Sequence, residues 1–379
     1  LIILLLVTLA LAAPETDEDF SLISVFQIAS DVIKDLFRSD TPTTVQADDV
    51  VRFFVIGDFG TLAKYPGLRN SAVTMENLAA ANNYSHIITV GDNFYTRGIP
   101  NINLRLHPWL VTSVFRREII GQMKIYPTLG NHDCYVNYKN EIEYSNYNEQ
   151  WTMESDYYEL VTPLKDDPSK NFVNLMLNSC KLMCPDHNWA SAGRCKSMQT
   201  DLGSEPVLEH YRWLEEKLKF YNNSDSTAWL AVTVHHPVFT ESGMKVELLP
   251  LLRKYNVDFI FVGHQHWAEY TNMAPDYEVR FPTENPKIIK DCNGDKEILV
   301  KEEREHTFRR GEKLHQFLCG NGGTYGRHLC PFKEQDGEVY FKNNAYNGIT
   351  AVEVTSKKAV VTYHRHDTDI VYRINVVNE

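Results

Sequence analysis

The chain has 379 residues, 43 % of them hydrophobic and 23 % charged, with 38 basic against 50 acidic side chains and a net charge of −12. The apolar fraction supports a large core and excludes a disordered or collagen-like chain. The acidic balance argues against a nucleic-acid binder working through a basic face.

Leu1 to Ala13 carry no charge and one polar side chain, Thr8. The run is too short to span a bilayer. It ends in Ala10-Leu11-Ala12, followed by Pro14 and an acidic stretch from Glu15, and reads as the apolar core of a secretory signal peptide met part-way along. A buried N-terminal strand is the competing reading. No other run reaches ~18 apolar residues, so no transmembrane span is expected. Residues 14–50 read as an acidic leader. Within it, Leu22, Val25, Phe26, Ala29, Val32, Ile33 and Leu36 recur at helical spacing. That helix suits docking on the body, a pro-segment or a partner contact, with docking favoured.

From residue 51 the pattern changes. Val51 to Ile56 is a buried-strand run ending at Gly57-Asp58-Phe59-Gly60. A helix is expected over about 68–81, then a strand from His86 to Val90 ending at Gly91-Asp92-Asn93-Phe94-Tyr95. Asn103 to Ile120 reads as mostly helix. Lys124 to Leu129 is a short strand ending in Gly130-Asn131-His132-Asp133. Phe172 to Leu177 is a strand, and Pro206 to Tyr221 a helix with Pro at its start. Ala228 to Val234 runs into His235-His236-Pro237, Val246 to Tyr255 is helical, and Val257 to Val262 runs into Gly263-His264-Gln265-His266. Residues 271–313 are charged and carry prolines, which suggests an exposed insertion in a single domain over 51–379. Leu314–Cys319, Gly348–Val354 and Lys358–His364 read as closing strands; His364 and His366 are read as structural or solvated. Strands alternating with crossover helices mean an α/β fold with parallel strands.

Seven cysteines fit export. Cys180, Cys184 and Cys195 crowd one segment, and Cys319 and Cys330 bracket a Gly-rich one, so local disulfides are expected. Zinc held by Cys180, Cys184 and His187 is the lesser alternative. Asn83-Tyr84-Ser85 and Asn222-Asn223-Ser224 are glycosylation sequons.

Five strands end in residues of metal-ligand type, and open α/β sheets place their sites beyond the carboxyl ends of strands. Asp58, Asp92, Asn131, His235, His264 and His266 are therefore expected at one edge. Each alone has an ordinary explanation as a turn or structural residue; five coincidences at five strand ends do not. Mixed imidazole and carboxylate ligands suit Zn, Fe or Mn. Asp92 is the candidate to bridge two cations, one oxygen to each.

These blocks resemble the five ordered motifs of the purple acid phosphatases, among the calcineurin-like metallophosphoesterases, over about residues 51–377. The low-molecular-weight, tartrate-resistant type is the nearest match. The resemblance implies a four-layer α/β/β/α sandwich of two mixed sheets flanked by helices. It implies Fe(III) on Asp58, Asp92, Tyr95 and His266, and a divalent Fe, Zn or Mn ion on Asp92, Asn131, His235 and His264. The implied reaction is phosphate monoester hydrolysis by metal-bound hydroxide, with His132 as proton donor; His236, a departure from the animal members, is a further catalytic candidate, for which touching substrate and a supporting or structural role are equally good readings. The apolar start and the sequons together suggest a secreted, lysosomal or vacuolar glycoprotein, and the acidic balance suggests no nucleic-acid partner. Assembly through the leader helix or the insertion is left open. This sequence has Phe59 where the family often has Trp, His236 where animal members usually have Tyr, Trp267 in place of a polar residue, and no Cys near Met244. The competing functions are a scaffold protein on the same fold and a nucleotide phosphatase or phosphodiesterase.

Overall fold

The computed structural model describes residues 48–61, 65–183, 204–241, 243–279, 297–299, 303–323 and 336–378. The expected signal peptide and leader helix, the middle of the expected insertion, and Cys184, His187, Cys195 and Cys330 lie outside the described residues.

Two mixed sheets form the interior. The first contains β1 (Val51–Ile56), β2 (Tyr84–Thr89), β3 (Lys124–Pro127), β10 (Glu305–Arg309), β13 (Gly348–Val354), β14 (Lys358–Arg365) and β15 (Ile370–Val377), in the order β10-β15-β14-β13-β1-β2-β3. The second contains β4 (Tyr158–Pro163), β5 (Asn171–Met176), β6 (Thr227–Thr233), β7 (Phe259–Val262), β8 (Ala268–Met273), β9 (Glu297–Leu299), β11 (Leu314–Cys319) and β12 (Glu338–Asn343), in the order β4-β5-β6-β7-β11-β8-β12-β9. β1, β2 and β3 are mutually parallel, as are β5, β6 and β7. The sheets meet face to face through aromatics: Phe53 lies 5.1 Å from Phe172, and Phe341 stacks on Tyr372 at 4.6 Å between ring centroids.

Helices cover the outer faces. α1 (Tyr65–Ala81) buries Leu68, Ala72, Met75 and Ala79 against the first sheet. α5 (Ser204–Asn222) buries Leu214 and Leu218 against Leu230, Val232 and Ile260 of the second. This is the four-layer α/β/β/α arrangement. No helix among the described residues is long and apolar enough to cross a membrane.

Several local expectations need correction. The helix expected over 103–120 shrinks to α2 (Leu106–Ser113), followed by a 3₁₀ turn at Ile120–Gln122. Thr112 and Ser113 donate their hydroxyls back to the carbonyls of Pro108 and Leu110, an alternative to helical pairing. Beyond them, the Glu76 carboxylate on α1 accepts the N–H groups of Ile119 and Ile120, so a tertiary partner replaces a helical one. The helix expected over 246–255 is a π turn, Met244–Leu248, leading into α6 (Leu249–Lys254). Pro250 has no N–H to give back to residue 246. The expected insertion at 271–313 is narrower at both ends, where β8 and β10 join the sheets.

The disulfide expectation is also corrected. Cys180, on the short α4 (Ser179–Leu182), bonds to Cys134, 46 residues earlier, and not to a neighbour. Its sulfur is thereby withdrawn from any zinc site. Cys319 is a buried free thiol that accepts a hydrogen bond from Thr350 Oγ1.

Candidate metal centre

The site is built where five parallel strands end. Asp58 follows β1, Asp92 follows β2 and Asn131 follows β3, all in the first sheet; His235 follows β6, and His264 and His266 follow β7, in the second. Three of these residues, Asp58, Asp92 and His264, have φ of 55°, 53° and 69°. Left-handed backbone is uncommon outside glycine and clusters where function holds it in place. The loops also close tightly on one another. A Cβ on Gly91, itself at φ 90°, would fall 2.7 Å from His235 Nδ1, and one on Gly130 would fall 2.2 Å from the Asp92 backbone nitrogen. Glycine at both positions is what lets the β2, β3 and β6 loops converge.

The donor atoms fall into two groups that share Asp92. On one side Tyr95 Oη donates to Asp92 Oδ2 at 2.9 Å, lies 3.3 Å from Asp58 Oδ1, and is 3.2 Å from His266 Nε2. His266 Nε2 is in turn 3.5 Å from Asp58 Oδ1. On the other side Asn131 Oδ1 lies 2.9 Å from His264 Nδ1 and 3.2 Å from His235 Nε2. Asp92 Oδ1 sits 3.4 Å from His235 Nε2. The two carboxylate oxygens of Asp92 thus face different groups.

Backbone and buried polar contacts fix these side chains. His264 N–H donates to Asp58 Oδ2, and His132 N–H to Asp92 Oδ1. The Val90 carbonyl accepts from His235 Nδ1–H at 2.8 Å, which turns Nε2 into the site. Beneath them Asp133 accepts the N–H groups of Gly130, Asn93 and Phe94, and Asn93 Nδ2 donates to Glu141. Asp133 and Asn93 stand inside the sequence motifs but escaped assignment there. Asp133 works through backbone amides and Asn93 through buried contacts to Thr89, Thr128 and Glu141, neither of which leaves a residue-type signature.

Electrostatics suit a cation. Burial, with the neighbouring Asp92 charge, pushes the Asp58 carboxyl well above its usual range. The same two causes push Asp133 up to about 7. Burial also keeps the His235 imidazole neutral by lowering its pKa, the form that ligates metals. Crowded buried carboxylates beside neutral imidazoles are costly alone and favourable around a positive ion. The oxygen-rich and imidazole-rich donor sets fit hard and borderline ions such as Fe, Zn and Mn, so the residues present fit a metal centre.

The two catalytic candidates border this cluster. His132 is half-exposed; its Nδ1 pairs with the Thr96 carbonyl at 2.8 Å, and its Nε2 lies 4.0 Å from Asp92 Oδ2. His236 is buried, with Nδ1 2.7 Å from Ser179 Oγ and its ring 4.5 Å from that of His264. It forms a potential ligand group with His235 and His264. Tyr95, His132, His264 and His266 are the half-exposed members and mark the open side. Sequence reasoning missed the Cys134–Cys180 bridge, which joins the loop bearing His132 to the helix bearing Ser179.

Comparison with known proteins agrees with this geometry. The family described as "Calcineurin-like phosphoesterase" matches residues 51–268. The chain is 24 % identical over 331 residues to the tartrate-resistant acid phosphatase type 5 of Homo sapiens, covering 84 % of this chain and 88 % of that protein. Among solved structures it is similar to GAP50, titled the anchor in the inner membrane complex of Plasmodium, with a TM-score of 0.60 and 15 % identity over 86 % of this chain and 88 % of that one. It is also similar to a purple acid phosphatase from yellow lupin (Lupinus luteus) seeds, with a TM-score of 0.52 and 14 % identity over 90 % of this chain and 55 % of that one.

Proposed function

Because the chain belongs to the calcineurin-like phosphoesterase family, as the match over residues 51–268 establishes, we propose that it is an acid phosphatase hydrolysing phosphate monoesters at a centre of two metal ions. One observation carries the reading: Asp92 presents Oδ2 to the Tyr95 hydroxyl at 2.9 Å and Oδ1 to His235 Nε2 at 3.4 Å, between two complete donor groups. Asp58, Tyr95 and His266 would hold a ferric ion with Asp92; Asn131, His235 and His264 would hold a divalent Fe, Zn or Mn ion with the same carboxylate. The bound pair supplies Lewis acidity that polarises the phosphoryl oxygens and acidifies water.

The remaining work belongs to side chains. The Thr96 carbonyl accepts from His132 Nδ1–H, which turns Nε2 toward the cluster; in the imidazolium form, Nε2–H donates its proton to the departing alcohol and leaves the ring neutral. His236 is held at Nδ1 by Ser179 and binds a phosphate oxygen beside His264. The Cys134–Cys180 bridge supports passage through an oxidising compartment, in keeping with a secreted or lysosomal/vacuolar enzyme.

The test is hydrolysis of p-nitrophenyl phosphate from acid to neutral pH, before and after metal removal, with the His132→Ala variant alongside. Acid-optimal turnover that vanishes on chelation and returns with Fe and Zn is expected, and the variant should lose about 10²-fold or more. A second reading is an anchor protein on the same fold, favoured by the likeness to GAP50. No turnover from a folded, metal-loaded chain would put that reading first.

A further inference from the structure

Asn131 differs from its neighbours in the centre. A carboxylate has two equivalent oxygens, whereas an amide ligates only through its oxygen and offers two N–H donors on the other arm. If the amide turned over, its NH₂ group would face the cation and the site would lose a ligand. Something must therefore hold the arm that points away.

The structure shows what holds it. Asn131 Nδ2 donates to Tyr135 Oη at 3.0 Å, while Oδ1 points to His264 Nδ1 and His235 Nε2 at 2.9 and 3.2 Å. Tyr135 is one helical turn beyond Asn131, in the loop closed by the Cys134–Cys180 bridge and by the Cys134 N–H donating to the Gly130 carbonyl. The Tyr135 ring also packs edge-on against His132, with centroids 5.1 Å apart. The phenol is thus fixed by the backbone that carries the ligand itself.

We propose that Tyr135 is a positioning residue: its hydroxyl locks the Asn131 amide with the oxygen inward and so sets the affinity of the divalent site, leaving the Asp58–Tyr95–His266 site untouched. This rests on the two-ion reading above. Groups that orient metal ligands are worth about 10–100-fold in metal affinity.

The test is titration of the metal-free full chain with Zn²⁺, reading two binding constants by calorimetry, for the wild type, Asn131→Ala and Tyr135→Phe. Tyr135→Phe keeps the ring and removes only the acceptor. The expected result in Tyr135→Phe is an about 10–100-fold weaker constant for one ion and an unchanged constant for the other. Asn131→Ala should weaken the same ion at least as much. Weakening in Asn131→Ala without weakening in Tyr135→Phe overturns the inference and leaves the two-ion reading standing. Equal weakening of both ions in Tyr135→Phe also overturns it, because the effect is then general loosening. Two unchanged constants in Asn131→Ala overturn the two-ion reading and the inference together.

Discussion

The two sheets supply different chemistry to one site. The first sheet contributes oxygen: Asp58, Asp92 and Asn131 stand at the ends of β1, β2 and β3, with Tyr95 in the loop after β2. The second contributes imidazole nitrogen: His235 after β6, and His264 and His266 after β7. Oxygen ligands carry the negative charge and suit hard ions; neutral imidazoles add donors without adding charge. Neither sheet alone makes a complete set. Asp92 is where the division fails, because its oxygens serve both groups.

Asp92→Asn breaks the comparison at that point and should have the largest effect. On the two-ion reading, one of the two shared oxygens would become an NH₂ donor facing a cation, and one ion's share of charge stabilisation, several kcal/mol, would be lost. At about 1.4 kcal/mol per tenfold, kcat/KM should fall by about 10⁴, and atomic absorption should count fewer than two metals per chain. A variant retaining two metals and full turnover would show that the two donor groups do not depend on the shared carboxylate.

Much of this division is legible in the sequence. Each ligand lies within a few residues of a strand end, so a short motif carries it: Gly91-Asp92 after one apolar run, Gly263-His264 after another. The strands that bear the ligands are continuous apolar runs. The strands that go unread, such as β4, β12 and β15, are broken by half-exposed polar residues, for example Arg373 within β15. What fixes the ligands is less visible. Ser179 reaches His236 across 57 residues, and Cys134 reaches Cys180 across 46. The parallel pairing of β5 with β6, Met176 opposite Thr233, brings the first pair together, and the packing of one sheet on the other brings the second. Tyr135 is the exception, four residues from Asn131; a tyrosine after a metal motif has many uses, so residue type alone gives it no role.

Among the described residues, the Cys134–Cys180 bridge is the disulfide that links the halves, since Cys134 follows β3 and Cys180 follows β5. Closing a loop of 46 residues constrains the unfolded chain by about 4 kcal/mol in the chain-entropy description. The paired substitution Cys134→Ser and Cys180→Ser should therefore cost about that much in urea unfolding. Activity per folded molecule should fall as well, because the loop bearing His132 and the helix bearing Ser179 are then free to part. Loss of stability with unchanged specific activity would make the bridge a fold staple alone.

Acid stability offers a finer comparison, because each sheet buries a neutral histidine away from the candidate metal centre. His86 on β2 stacks on Phe53 at 4.9 Å, and His315 on β11 pairs with the Tyr270 hydroxyl at 2.8 Å. Burial lowers both to about 3, against ~6.5 in an unfolded chain. Above about pH 6.5 both states are neutral and no pH dependence arises. As pH falls below that value the unfolded chain takes the proton first, so stability declines by about 1.4 kcal/mol per pH unit for each histidine until the folded pKa is reached. His86→Phe and His315→Phe should each remove one histidine's slope from urea unfolding between pH 6.5 and 4.5, whatever their absolute cost. If the sheets unfold as one unit, the two variants flatten the same transition equally. If each variant flattens a different transition, the oxygen-bearing and nitrogen-bearing halves come apart separately. The Cys134–Cys180 bridge and the candidate metal centre would then be the ties that hold the two halves together in acid.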